Sequence, residues 1–139
     1  MKKSKKIIKK FFEVSEPVFL SNVLVSIGHT QSEINKKLKI MLKTDLDIKF
    51  EDDFVGYTGQ HIVITSSEGD IQRIIWIREF NWTVEDIAVM THEILHLTTR
   101  ILEDKLVPIK DNSEVMSYLH EFYVREILRK VAIVSNGKV

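Results

Sequence analysis

Apolar and polar positions along this chain repeat with two different periods, and the switches between them mark its elements. Residues 17–27, PVFLSNVLVSI, are rich in Val, Leu, Phe and Ile and read as a strand that stops at Gly28. Thr30-Gln-Ser-Glu33 follows as a capping box, in which the Thr hydroxyl and the Glu carboxylate satisfy each other's orphan amides. It opens a helix to about Lys43, with Ile34, Leu38 and Met41/Leu42 on the apolar face. Over residues 47–57 the pattern weakens to a short edge strand at most. Residues 60–66 and 71–79 form two strands around Ser67-Glu68-Gly69-Asp70, a hairpin. Thr83-x-x-Asp86 caps a second helix running to about Asp104. After a loop containing Pro108, a third helix runs from Ser113 to about Val134. Helices that follow a mostly antiparallel sheet define the α+β class.

Length and composition agree with one globular unit. The 139 residues are 44% apolar and 29% charged, enough for one real core and too few for two. Twenty basic residues balance twenty acidic ones, but six lysines fall within the first ten positions, leaving fourteen against twenty in the remainder. The reading is a basic, flexible arm over residues 1–12 and a single domain over 13–139. Such an arm is more often a solvated terminus than a nucleic-acid contact. Ile7-Ile8 and Phe11-Phe12 are interrupted by lysines, so the arm lacks the apolar run of a signal peptide, and no stretch is apolar enough to span a bilayer. The expected location is the cytoplasm, with no membrane partner. Without cysteine, any metal site must use His and carboxylate.

The second helix carries such a site. His92-Glu93-Ile94-Leu95-His96 is an H-E-x-x-H motif. At about 100° per residue, His92 and His96 lie roughly 40° apart on one face and one turn apart along the axis, so both imidazoles reach one ion. Glu93 lies about 60° from His96, near enough to touch a water on that ion without ligating it. The motif therefore combines a Lewis acid, a water of lowered pKa and a base to take its proton. Val84, Ile87, Ala88, Thr91, Ile94, Leu95, Thr98, Ile101 and Leu102 make one broad apolar stripe, with the histidines at its edge.

A catalytic zinc needs a third protein ligand and an open position. Glu103 lies about 10 Å up the axis from His96, too far, and Asp104 points away. The next helix offers Glu114, His120 and Glu121. Glu114, in its first turn, is the candidate because the intervening loop has the reach to return it beside the histidines. Its plainer role is an acid favourable at a helix N-terminus, and one residue can serve both. Tyr118, one turn later on the same face, is the candidate donor to a tetrahedral intermediate, with packing as its plainer role. His29 and His61 read as surface residues. Gly56, Gly59 and Gly69 are too scattered for a phosphate cradle. Trp76 and Trp82 are aromatic candidates for a cleft wall, although such residues are usually core.

MTHEILHLTTR followed by NSEVMSYLHEFYVREIL resembles the zincin metallopeptidase superfamily on its glutamate branch, where a second helix supplies a Glu ligand. It is especially similar to small phage and prophage proteins whose second helix begins Glu-x-x-x-Tyr-Leu, and more loosely to the metallopeptidases that cleave phage repressors. The resemblance covers roughly Thr83 to Leu128. It implies Zn²⁺ on His92, His96 and Glu114, Glu93 as general base, a peptide or protein substrate, and a phage setting within a host cytoplasm. It also implies a strand beside the active helix that pairs with extended substrate, for which residues 71–79 are the candidate. The leading reading is thus a zinc-dependent hydrolase, a peptidase. The rival is a zincin-fold phage accessory or inhibitor binding protein with a structural or inactive zinc site. Glu93 favours the enzyme, since a structural site needs no base; a length with no room for the second lobe of larger members favours the binding protein.

Overall fold

A computed structural model describes residues 8–42, 59–65 and 71–135. The elements run β1 (Lys10–Glu16), β2 (Ser21–Ile27), α1 (Gln31–Leu42), β3 (Gly59–Thr65), β4 (Ile71–Ile77), α2 (Val84–Asp104) and α3 (Ser113–Ser135). The expected strand at 47–57 and the turn at 67–70 lie outside the described residues.

The four strands form one mixed sheet in the order β1-β2-β4-β3. β1 pairs antiparallel with β2, and β3 with β4, so the sheet is two hairpins joined by a parallel β2–β4 ladder. The class is α+β, as expected. The N-terminal boundary differs: Lys10, Phe11 and Phe12, assigned to a flexible arm, begin β1. Residues 17–20 form the β1–β2 turn, so the expected strand over 17–27 begins only at Ser21. Lys10, the one lysine in β1, does not oppose its pairing because β1 is an edge strand, where charge is well tolerated. Lys130 of α3 covers the strand, its Nζ 5.8 Å from the Phe12 ring centroid.

Strand alternation divides the core between the two faces. Val23, Val25, Ile27, Ile75 and Ile77 point to α2 and α3, where Met90, Ile94, Leu97, Leu119, Tyr123 and Ile127 close on them. Leu24, Ile74, Trp76 and Ile64 point to the other face and meet Ile34 and Leu38 of α1. Trp76 is therefore core on the α1 side, with its indole N–H donating to the His29 carbonyl at 2.9 Å.

The helix starts follow their local signals. Glu33 N–H donates to Thr30 Oγ1 at 3.2 Å and Thr30 N–H to the Glu33 carboxylate at 3.3 Å, closing the capping box. Asp86 N–H donates to Thr83 Oγ1 at 3.1 Å. The end of α2 is less ordinary. Leu106 N–H donates to Glu103 O and Val107 N–H to Leu102 O, a Schellman closure, yet the left-handed position is Leu106 (φ 59°) and not glycine. Leu106 is 88% exposed, so its side chain gains little burial in return. Leu106→Gly is expected to raise stability by about 0.5–1 kcal/mol through relief of the left-handed strain, read as a higher denaturation midpoint at unchanged m-value. A lower midpoint would show that Leu106 contributes a contact worth more than the strain.

Candidate metal centre

α2 lies over the β3–β4 hairpin and carries the motif through its middle. His92 and His96 are both exposed, their rings meeting edge to face with centroids 4.7 Å apart. Their Nε2 atoms are 3.1 Å apart. Two nitrogens on a tetrahedral zinc, each about 2.0–2.1 Å from it, stand about 3.3 Å apart. The one-turn spacing on α2 thus holds the two Nε2 atoms in direct hydrogen-bond contact, at close to the separation that two ligands of one zinc ion require.

Glu93, the next residue after His92, is buried, 7% exposed, and still within the electrostatic reach of both histidines. Its burial comes from a close approach between α2 and β3. A Cβ on Gly59 would stand 2.9 Å from Val89 Cγ1, 2.9 Å from Ile77 Cδ1 and 3.2 Å from Glu93 Cγ. Only glycine leaves room for the Glu93 stem to lie against the strand. The Glu93 carboxylate accepts a hydrogen bond from the His61 backbone N–H. Burial pushes its pKa above the usual carboxylate range, against the lowering pull of His92, His96 and that hydrogen bond. Gly59→Ala is expected to cost about 1–3 kcal/mol and to displace Glu93, because three side chains must give way at once. Urea unfolding checks it; a loss under about 0.5 kcal/mol would mean that the helix slides aside freely.

The strand beside the motif is therefore β3, the sheet's edge, and not β4, the candidate from sequence. Chain proximity favoured residues 71–79, but β4 is held inside the sheet between β2 and β3. A glycine at a strand can mark close backbone approach, and Gly59 is the one sequence signal from which β3 could have been found.

The remaining candidates separate. Glu114 is exposed in the first turn of α3. Among the described residues no three His, Cys, Asp or Glu side chains converge as a metal-binding group, so Glu114 does not close on the histidine pair in this conformation. Tyr118 is engaged elsewhere: its hydroxyl donates to Glu16 Oε1 at 3.0 Å, on the edge strand opposite β3. Burial, then this bond, raises its pKa. In this arrangement the Tyr118 hydroxyl is taken up by Glu16 on the β1 side of the sheet. Glu16, 1% exposed, also accepts from Val18 N–H at 2.7 Å and Phe19 N–H at 2.9 Å, holding the β1–β2 turn.

Two histidines read as surface are not. His29 is 7% exposed, with Nδ1 3.2 Å from Ser26 Oγ, and burial lowers its pKa. His61 faces α2 with Nε2 buried and unpartnered; burial, then Arg73 and His96, lower it to about 4. His120 turns toward α2, its Nε2 3.4 Å from the Thr91 carbonyl. Trp82 is 39% exposed just before α2 and packs edge-on to Phe80 at 4.9 Å.

No helix among the described residues is long and apolar enough to cross a membrane. No family model matches the chain, and comparison with curated proteins and with solved structures finds no match to either.

Proposed function

We propose that this chain is a zinc-dependent hydrolase of peptide bonds, with His92, His96 and Glu114 as metal ligands and Glu93 as general base. The observation that carries the reading is the convergence of the two Nε2 atoms 3.1 Å apart, with a buried carboxylate on the adjacent position of the same helix. Zinc bound there would supply a Lewis acid and a water of lowered pKa. Glu93 takes a proton from the attacking water and returns it to the leaving amine. An extended substrate backbone would pair with β3, an edge strand of the sheet, beside that base. Glu114 would reach the pair if the start of α3 shifted at the preceding loop, residues 105–112.

A second reading rests on the third ligand's position. With no three-residue group converging among the described residues, the fold also suits a zincin-like binding protein, a phage accessory or inhibitor, that holds metal weakly or structurally. Metal analysis of protein purified without added metal tests both. Near-stoichiometric zinc is expected in the parent and loss of it in His92→Ala, with Glu114→Ala weakening retention as much as His96→Ala, since each removes one of three bonds. Parental zinc in Glu114→Ala, with loss in His120→Ala or Glu121→Ala, would reassign the third ligand. No zinc in the parent would leave the binding protein.

A further inference from the structure

By itself the basic start of the chain reads as a solvated terminus, but the fold joins it to a second cluster of lysines. Residues 1–43 hold ten lysines against three glutamates, and the remaining residues hold ten cations against seventeen carboxylates. The chain enters β1 across the β2–α1 junction, where a Cβ on Gly28 would stand 2.2 Å from the Ile8 carbonyl oxygen. Lys9 Nζ then donates to Glu33 in the first turn of α1 at 2.9 Å. Lys37 of the same helix has its Nζ 5.5 Å from the centroid of the Phe11 ring on β1. The buried His29 ring feels both cations: burial first, then Lys37, and also Lys9, lower its pKa. β1 and α1 thus share one surface, and the lysines at positions 2, 3, 5 and 6 directly precede it in the chain.

The sheet separates charge as well as apolar clusters. On the α1 side, Lys9, Lys36, Lys37, Lys39 and Arg78 accompany two carboxylates, Glu13 and Glu33. Lys36, Lys37 and Lys39 are exposed, and Arg78 is placed on this side by its guanidinium, 5.8 Å from the Trp76 ring centroid. On the other side, α2 and α3 carry eight carboxylates against four cations. Exposed ammonium groups ranged along a helix and the strand beside it are the point charges that a row of phosphates meets. A bilayer suits the surface less well. The apolar stripe of α1 is taken up in the core at Ile34 and Leu38, which leaves only Ile40 and Met41 as exposed apolar side chains among the described residues of the helix. Residues 45–53, directly after α1, carry five carboxylates and one lysine and lie outside the described residues, so the test needs the whole chain with that run in place.

We infer that the surface of α1 and β1, extended by the N-terminal lysines, binds the phosphate backbone of nucleic acid without reading its sequence. The inference is independent of the metal centre. α2 carries the histidine pair on the opposite side of the sheet, so nucleic acid held at α1 leaves that pair uncovered. Anisotropy of a labelled duplex of about 20 base pairs, titrated with the full chain, tests it. Saturable binding is expected at about 50 mM salt, weakened at least about a hundredfold at about 200 mM as counterions are released. The double substitution Lys36→Glu, Lys37→Glu, at exposed positions, is expected to keep a cooperative melt and to weaken binding at least about tenfold. Replacing Lys2, Lys3, Lys5 and Lys6 by Gln is expected to weaken binding and to flatten its salt dependence. That variant keeps the test valid if the α1 substitutions unfold the chain. Lys105→Glu with Lys110→Glu makes the same change of charge beyond α2 and is expected to leave the affinity within about threefold. Equal losses in the two double variants, or no saturable binding at about 50 mM salt, would overturn the site. So would anionic vesicles or polyglutamate that hold the chain as tightly as the duplex does.

Discussion

In Glu93→Gln, peptide hydrolysis is expected to fall by roughly 10²–10⁴-fold while zinc content stays at the parental level. The substitution preserves shape, and the amide oxygen can still accept from the His61 backbone N–H that orients the carboxylate. What it removes is proton acceptance. Stability is not expected to fall, because Glu93 is buried and burial disfavours its charged form; a neutral amide carries a smaller desolvation cost there. The two readouts therefore move separately, which a merely structural role for Glu93 does not allow. Parental turnover in the variant would remove Glu93 from the mechanism and put the binding protein ahead.

Chelation is the second experiment with a large expected effect. The apolar layer between the sheet and α2/α3 includes Val25, Ile27, Ile75, Ile77, Ile94, Leu97, Tyr123 and Ile127, all at most 1% exposed. A core of this extent does not need a metal to hold it, unlike a zinc finger, which has almost none. The chelated protein is expected to keep its helical signal and to melt cooperatively. Zinc at a hundred times its dissociation constant stabilises the native state by about 2.7 kcal/mol, worth a melting shift on the order of 10 °C for a domain of this size. Complete loss of helix on chelation would make the metal a structural staple. An unchanged melting temperature would mean that no native metal site exists.

Much of the fold was legible because its signals are local. The capping box at Thr30–Glu33 and the cap at Thr83 act within three residues, so their hydrogen bonds follow from spacing alone. β1 was hidden for the opposite reason. Its sequence, KFFEVSE, sits after a run of lysines, and it becomes a strand only by pairing with β2 through contacts such as Phe12↔Val25 and Val14↔Val23. The parallel β2–β4 ladder was equally hidden, since α1 and the following residues separate its strands in the chain and nothing within either strand names its neighbour.

The same division runs through the candidate site. The sequence by itself determined that His92 and His96 share a face with Glu93 beside them, because the period of an α-helix fixes those angles wherever the helix sits. Only the tertiary structure decided that Glu93 is buried, that β3 and not β4 flanks it, and that Gly59 makes the room. It also decided that Tyr118 is held by Glu16, 102 residues away in the chain, and that Glu114 stands apart from the histidines. Each of these depends on which surfaces of distant elements meet. That is set by the packing of α2 and α3 onto one face of the sheet, and periodicity within one element carries no record of it.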